Sequence, residues 1–116
     1  MKILLVDDEK KFAMMLSKRL ALRGIEVDYV YTAEEAVAKV ESNKYDVAIL
    51  DVKMPGIGGI ELERKLKALV PEMKSIFLTG HGSEADFTAG SAKAAYYLAK
   101  PLQIEELIKI LHELVK

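Results

Sequence analysis

The chain has 116 residues, of which 51% are hydrophobic and 30% charged, with a formal net charge of −1. This length can bury one core, and the balance excludes a disordered chain. The near-neutral charge gives no bulk attraction to nucleic acid or to an anionic membrane. The absence of cysteine excludes a disulfide framework, thiol catalysis and thiolate-held metal.

Ile3 to Val6 is a compact apolar run that stops at Asp7-Asp8-Glu9. It is too short for a signal-peptide core, and no run approaches the roughly 18 residues of a membrane span. It reads as a buried first strand. Glu9 to Leu22 carries Phe12, Leu16 and Leu20 at helical spacing, with Gly24 placed to end the helix. Val27 to Tyr31 is rich in β-branched and aromatic residues. Thr32 with Glu35 forms a capping-box signature for a helix through about Ser42. Val47 to Leu50 is another apolar run, ending at Asp51. The Met54-Pro55-Gly56-Ile57-Gly58-Gly59 loop has turn chemistry. Ile60, Leu62, Leu66 and Leu69 mark a third helix, stopped by Pro71. Ser75 to Leu78 and Tyr96 to Ala99 read as strands four and five. Between them, Ser83 to Ala95 predicts a short or frayed fourth helix, interrupted by Gly90 and Ser91. Ile104, Leu107, Ile108, Leu111, Leu114 and Val115 mark a final helix.

Strands alternating with helices, and strands that are nearly continuously apolar, predict a parallel sheet covered on both faces. No linker or repeat divides the chain, so residues 1–116 are expected to form a single domain. A doubly wound five-stranded sheet of order 2-1-3-4-5 with five helices is the expected topology. Its ligand site belongs beyond the carboxyl ends of the strands, near the switch between the first and third. Asp7 and Asp8 follow the first strand, Asp51 ends the third, Thr79 ends the fourth and Lys100 follows the fifth. Three converging carboxylates repel one another and favour a hard cation such as Mg²⁺. Asp51 is then a nucleophile toward phosphorus, with Thr79 and Lys100 positioned to stabilise charge on a transferring phosphoryl group. Pro101 permits a cis Lys100-Pro101 bond that would turn Lys100 into the crevice. Read alone, Asp7-Asp8-Glu9 is equally an acidic helix start. The five methionines are read as core filler, apart from Met54 in the loop, and His112 as a solvated helix residue.

The strings Leu-Leu-Val-Asp-Asp-Glu, Asp-Val-Lys-Met-Pro-Gly, Leu-Thr-Gly-His-Gly and Tyr-Leu-Ala-Lys-Pro, in this order at strand ends, resemble the receiver domains of bacterial two-component response regulators. The similarity runs from Met1 to Lys116. It implies a flavodoxin-like (CheY-like) fold and a phosphoacceptor role for Asp51. It implies Mg²⁺ held by Asp8, Asp51 and the backbone carbonyl of Lys53, with Asp7 acting mainly through water. Thr79 and Lys100 would contact phosphoryl oxygens. Tyr97 would be the switch aromatic, turning inward behind Thr79 and re-populating the surface of the fourth helix, fifth strand and fifth helix. The implied donor is a sensor histidine kinase or histidine phosphotransfer protein, in the cytoplasm. The implied target is a downstream protein or a covalently linked output domain. The chain would act as a stand-alone receiver or as the N-terminal part of a longer regulator, and as a monomer or a phosphorylation-dependent dimer.

The sequence departs from the family pattern at three places. Gly58 stands where an acidic residue is usual, Lys93 where a glycine is usual, and Tyr96 at a commonly acidic position. The stretch from Thr79 to Lys100 is also about one residue short. Lys53 and His81, each two residues beyond a site residue, are expected to overhang the phosphoryl group. There they would shield it from water, so hydrolysis should quicken when both are cut back to alanine. Two other readings remain at this point: a phosphorylation-independent binding module of the same shape, and a flavodoxin-like cofactor binder. The second lacks a phosphate-cradling loop after the first strand.

Overall fold

Short runs of β-branched and large apolar residues form strands, and the amphipathic stretches between them wrap as helices. The computed structural model describes residues 1–80 and 96–115. The strands are β1 (Lys2–Val6), β2 (Glu26–Val30), β3 (Val47–Asp51), β4 (Lys74–Thr79) and β5 (Tyr96–Ala99). The helices among the described residues are α1 (Lys10–Ala21), α2 (Ala33–Ser42), α3 (Gly59–Leu69) and α4 (Ile104–Leu114). The short helix expected over Ser83 to Ala95 lies outside the described residues. The sheet is parallel with order β2-β1-β3-β4-β5, as the alternation of elements predicts. None of the described helices is long and apolar enough to cross a membrane.

The period-two alternation of the strands divides the core into two layers. Ile3, Leu5, Ile49, Ile76 and Leu78 face α1 and α4, where they meet Leu16, Leu20, Leu107 and Leu111. Leu4, Val6, Leu50 and Phe77 face the other way, toward Ala36 and Val40 of α2 and Leu62 and Leu66 of α3. β1 and β3 have almost no polar face because helices cover both sides. β2 lies at the edge and stays half-exposed.

Local signals set where helices begin and end. Gly24 has φ +78°, and a paired set of bonds closes α1: Gly24 N–H to the Ala21 carbonyl, Ile25 N–H to the Leu20 carbonyl. Only glycine adopts that φ freely, and Ile25 and Leu20 bury together beneath it. At the start of α2, Thr32 Oγ1 accepts from Glu35 N–H at 3.1 Å. The Glu35 carboxylate reaches back to the Tyr31 N–H at 3.1 Å, one residue earlier than in the usual reciprocal pair.

The methionines correct an expectation. Met73 is buried, but Met14 and Met15 on α1 are 42% and 43% exposed, so they are not core filler. Both fall on the α1 face turned away from the sheet, while Ala13, Leu16 and Leu20 take the inward positions. His112 is exposed, as expected.

Candidate functional site

Parallel register brings the expected residues to one edge. Val6 pairs with Leu50, Asp51 with Leu78, and Thr79 with Ala99, so the residues that follow or end these strands share one level. The central strands carry their charges deep: Asp7 is fully buried and Asp51 is 5% exposed, while Asp8 is exposed. Oxygens of Asp7, Asp8 and Asp51 lie within 4.8 Å of one another. Lys100 follows β5, its peptide bond to Pro101 is cis, and its backbone N–H donates to the Thr79 carbonyl at 2.8 Å. Its ammonium lies 2.9 Å from Asp7 Oδ2 and 3.9 Å from Asp51 Oδ1. Thr79 is buried, and its hydroxyl donates to the Gly80 carbonyl at 3.0 Å.

These burials perturb the titrations. Burial, then the charge of Asp7, pushes the Asp51 carboxyl up to about 7. Burial also raises Asp7, against the pull of Lys100. Burial alone would lower Lys100, but the Glu9 and Asp7 carboxylates outweigh it and hold the ammonium above its ordinary value. Among the described residues, the site therefore concentrates more negative charge than Lys100 balances.

The loop from Asp51 to α3 depends on two glycines. A Cβ on Gly59 would collide with the Asp51 carbonyl, and one on Gly58 would come within 2.8 Å of the Val52 carbonyl. The Gly59 N–H donates to the Val52 carbonyl at 2.9 Å, closing α3 against the end of β3. The acidic residue missing at position 58 has no room beside that carbonyl. Gly58 caps α3 without a side-chain bond, and Glu61 supplies the acidic group of the first turn.

The acidic helix-start reading of Asp7-Asp8-Glu9 does not hold for side chains. Asp7 Oδ1 accepts the Glu9 N–H at 2.9 Å, and Glu9 is the N-cap of α1 but makes no side-chain cap bond. Instead Glu9 Oε1 takes the Lys100 ammonium at 2.6 Å. Sequence reasoning did not give Glu9 this role. Its only signal was membership of the acidic run, since its partner lies 91 positions away. Tyr97 is half-buried on the α2–α3 side of the sheet, its ring 5.2 Å from that of Phe77. Lys53 is exposed. His81 and Lys93 lie outside the described residues, as does most of the shortened stretch between Thr79 and Lys100.

Residues 3–112 match the response regulator receiver domain family. The chain belongs to that family. It is 37% identical over 117 residues to the two-component response regulator PhoP of Pseudomonas aeruginosa, covering all of this chain and 52% of that protein. It is 37% identical over 114 residues to the transcriptional regulatory protein TcrA of Mycobacterium tuberculosis, covering 97% of this chain and 45% of that one. The chain thus spans about half the length of these curated relatives. Among solved structures, a CheY-like receiver domain protein from Methanospirillum hungatei superposes with a TM-score of 0.87 at 36% identity, covering 97% of this chain and 92% of that one. The response regulator TrrA from Thermotoga maritima, solved with Mg²⁺ and beryllofluoride, gives 0.85 at 33% identity, covering 97% of each chain. Receiver domains are signalling domains rather than dedicated enzymes. Membership in this family replaces the cofactor-binder reading.

Proposed function

We propose that this domain is a phosphorylation switch that accepts a phosphoryl group on Asp51 and catalyses both its own phosphorylation and its dephosphorylation. The observation that carries the reading is the convergence of Asp7, Asp8 and Asp51 oxygens within 4.8 Å, with the Lys100 ammonium 3.9 Å from Asp51.

A divalent cation suits this donor set. Asp7 Oδ2 is buried, and among the described residues the cation it meets is the Lys100 ammonium at 2.9 Å, which Glu9 and Asp51 share. Asp51, raised by burial and then by the charge of Asp7, is a second carboxylate held where its negative charge is disfavoured. Asp8, Asp51 and the backbone carbonyl of Lys53 would hold Mg²⁺, with Asp7 reached through water. Bound there, the ion would neutralise charge on the nucleophile and on the incoming phosphoryl oxygens.

The chain's own groups do the rest. An Asp51 carboxylate oxygen attacks phosphorus in a phosphohistidine of a sensor kinase or phosphotransfer protein. The P–N bond breaks, its electron pair stays on the imidazole, and that nitrogen takes up a proton. Lys100 and Thr79 stabilise the equatorial oxygens. Water attack on the aspartyl phosphate later releases inorganic phosphate and restores Asp51. Tyr97 would follow Thr79 inward and alter the surface around β5 and α4 read by an output domain or partner protein. The intended setting is the cytoplasm, where sensor kinases present their phosphohistidines.

Intact mass after incubation with acetyl phosphate and Mg²⁺ tests the reading. A gain of ~80 Da, one phosphoryl group on the carboxylate nucleophile, is expected. It should require Mg²⁺ and vanish in Asp51→Asn. No gain from either acetyl phosphate or a phosphorylated kinase would leave only a phosphorylation-independent binding module.

A further inference from the structure

Glu9 has no role in the chemistry above, yet of the described carboxylates it makes the shortest contact to Lys100. Its Oε1 lies 2.6 Å from the ammonium, against 2.9 Å for Asp7 Oδ2 and 3.9 Å for Asp51 Oδ1. Phe12, one turn along the same helix, presents its ring centre 4.5 Å from Lys100 Nζ. The start of α1 therefore offers Lys100 a carboxylate and an aromatic face together, both favourable to a cation. Glu9 occupies the N-cap of α1, where a side chain usually caps the first backbone N–H groups, but it makes no such bond.

An ammonium has three N–H donors and one direction of approach along its stem. A phosphoryl group on Asp51 would bring new anionic oxygens toward the Lys100 ammonium, which stands 3.9 Å from Asp51 Oδ1 and is already engaged by Glu9 at 2.6 Å. We propose that Glu9 is a positioning residue that holds Lys100 toward α1 in the unphosphorylated domain and competes with the phosphoryl group for it. The inference rests on phosphoryl acceptance at Asp51. Its consequence is a bias toward the unphosphorylated state, because a ligand shifts an equilibrium only by its differential contacts. Phosphorylation must transfer Lys100 from one anion to another rather than recruit a free cation.

Beryllofluoride, a phosphoryl mimic, tests this at saturating Mg²⁺. Its affinity is measured by ¹⁹F NMR for the wild type, Glu9→Ala and Glu9→Asp, alongside the Lys100 Hε–Cε signals. Glu9 is exposed, so neither variant removes core packing. Glu9→Ala is expected to bind beryllofluoride roughly 2–5-fold more tightly, the scale of a lost exposed ion pair. Its unliganded Lys100 signals should already lie part-way to their bound positions. Glu9→Asp keeps the charge but is one methylene shorter, and should follow Glu9→Ala. Equal or weaker binding by Glu9→Ala overturns the proposal. So does wild-type behaviour of Glu9→Asp beside a shifted Glu9→Ala, which would assign the effect to net charge alone. A wild type that takes neither beryllofluoride nor a phosphoryl group overturns the acceptor reading, and this inference with it.

Discussion

At the amino end of the sheet, polar groups are matched by partners. The Tyr45 hydroxyl donates to Asp28 at 2.6 Å, the Lys2 N–H donates to Asp46 Oδ2 at 2.8 Å, and the Lys2 ammonium lies 5.2 Å from the Tyr45 ring centre. At the carboxyl end, Asp7, Glu9 and Asp51 gather around Lys100 with Asp8 beside the two aspartates, and the most buried carboxyls have raised pKa values. One end gains stability from its polar contacts. The other is held in place by apolar strands that would be more stable without the charges they carry, as functional sites often are.

Replacing Asp51 should give the largest effect and separates the two ends directly. Its carboxyl is raised to about 7 from an ordinary 3.8, so the folded state holds a proton that the unfolded state has already lost. That stabilisation is complete below about pH 3.8 and disappears as pH rises through about 7. With a chelator present, wild-type stability should fall between about pH 4 and 7 and level off above, while Asp51→Asn should be flatter. At pH 8 the variant should be more stable by the order of a few kcal/mol. Denaturant melts at several pH values check this, and Mg²⁺ should narrow the gap. A variant that parallels the wild type at every pH would deny that the carboxyl end opposes folding.

Gly59→Ala probes the support beneath the site. The new methyl meets the Asp51 carbonyl, which cannot move without displacing the end of β3. A loss of about 1–3 kcal/mol is expected, the usual range for overpacking. Slower phosphorylation should accompany it, read by mass spectrometry under native conditions. Loss of stability with an unchanged phosphorylation rate would show that α3 and Asp51 move independently.

Tyr45→Phe tests the matched end and should have the smallest effect. Burial and the Asp28 bond raise the phenol above its ordinary value, so it stays neutral and donating throughout the accessible pH range. Losing that bond should cost about 1 kcal/mol. Phosphorylation should proceed at the wild-type rate. A change in rate would mean that the two ends of the sheet communicate.

Much of the fold was legible because its signals are local. The apolar strand runs, the Thr32–Glu35 cap and Gly24 each act within a few residues. Asp7, Asp8, Asp51, Thr79 and Lys100 could be grouped in advance because parallel strands deliver their carboxyl ends to one edge. The outward placement of Met14 and Met15 was not legible. Their neighbours Ala13 and Leu16 take the inward face, and hydrophobicity alone does not say which apolar residues on a helix will be left over.

The sequence by itself determined the order of strands and helices, and with it which carboxylates could meet. Periodicity and chain topology suffice for that. Only the tertiary structure decided how the charges are shared. Whether Lys100 turns to Asp51, Asp7 or Glu9 depends on distances of 3.9, 2.9 and 2.6 Å across strands and a helix far apart in the chain. Coulomb interactions and burial act through space, so the strength of each pairing follows from packing rather than from residue order.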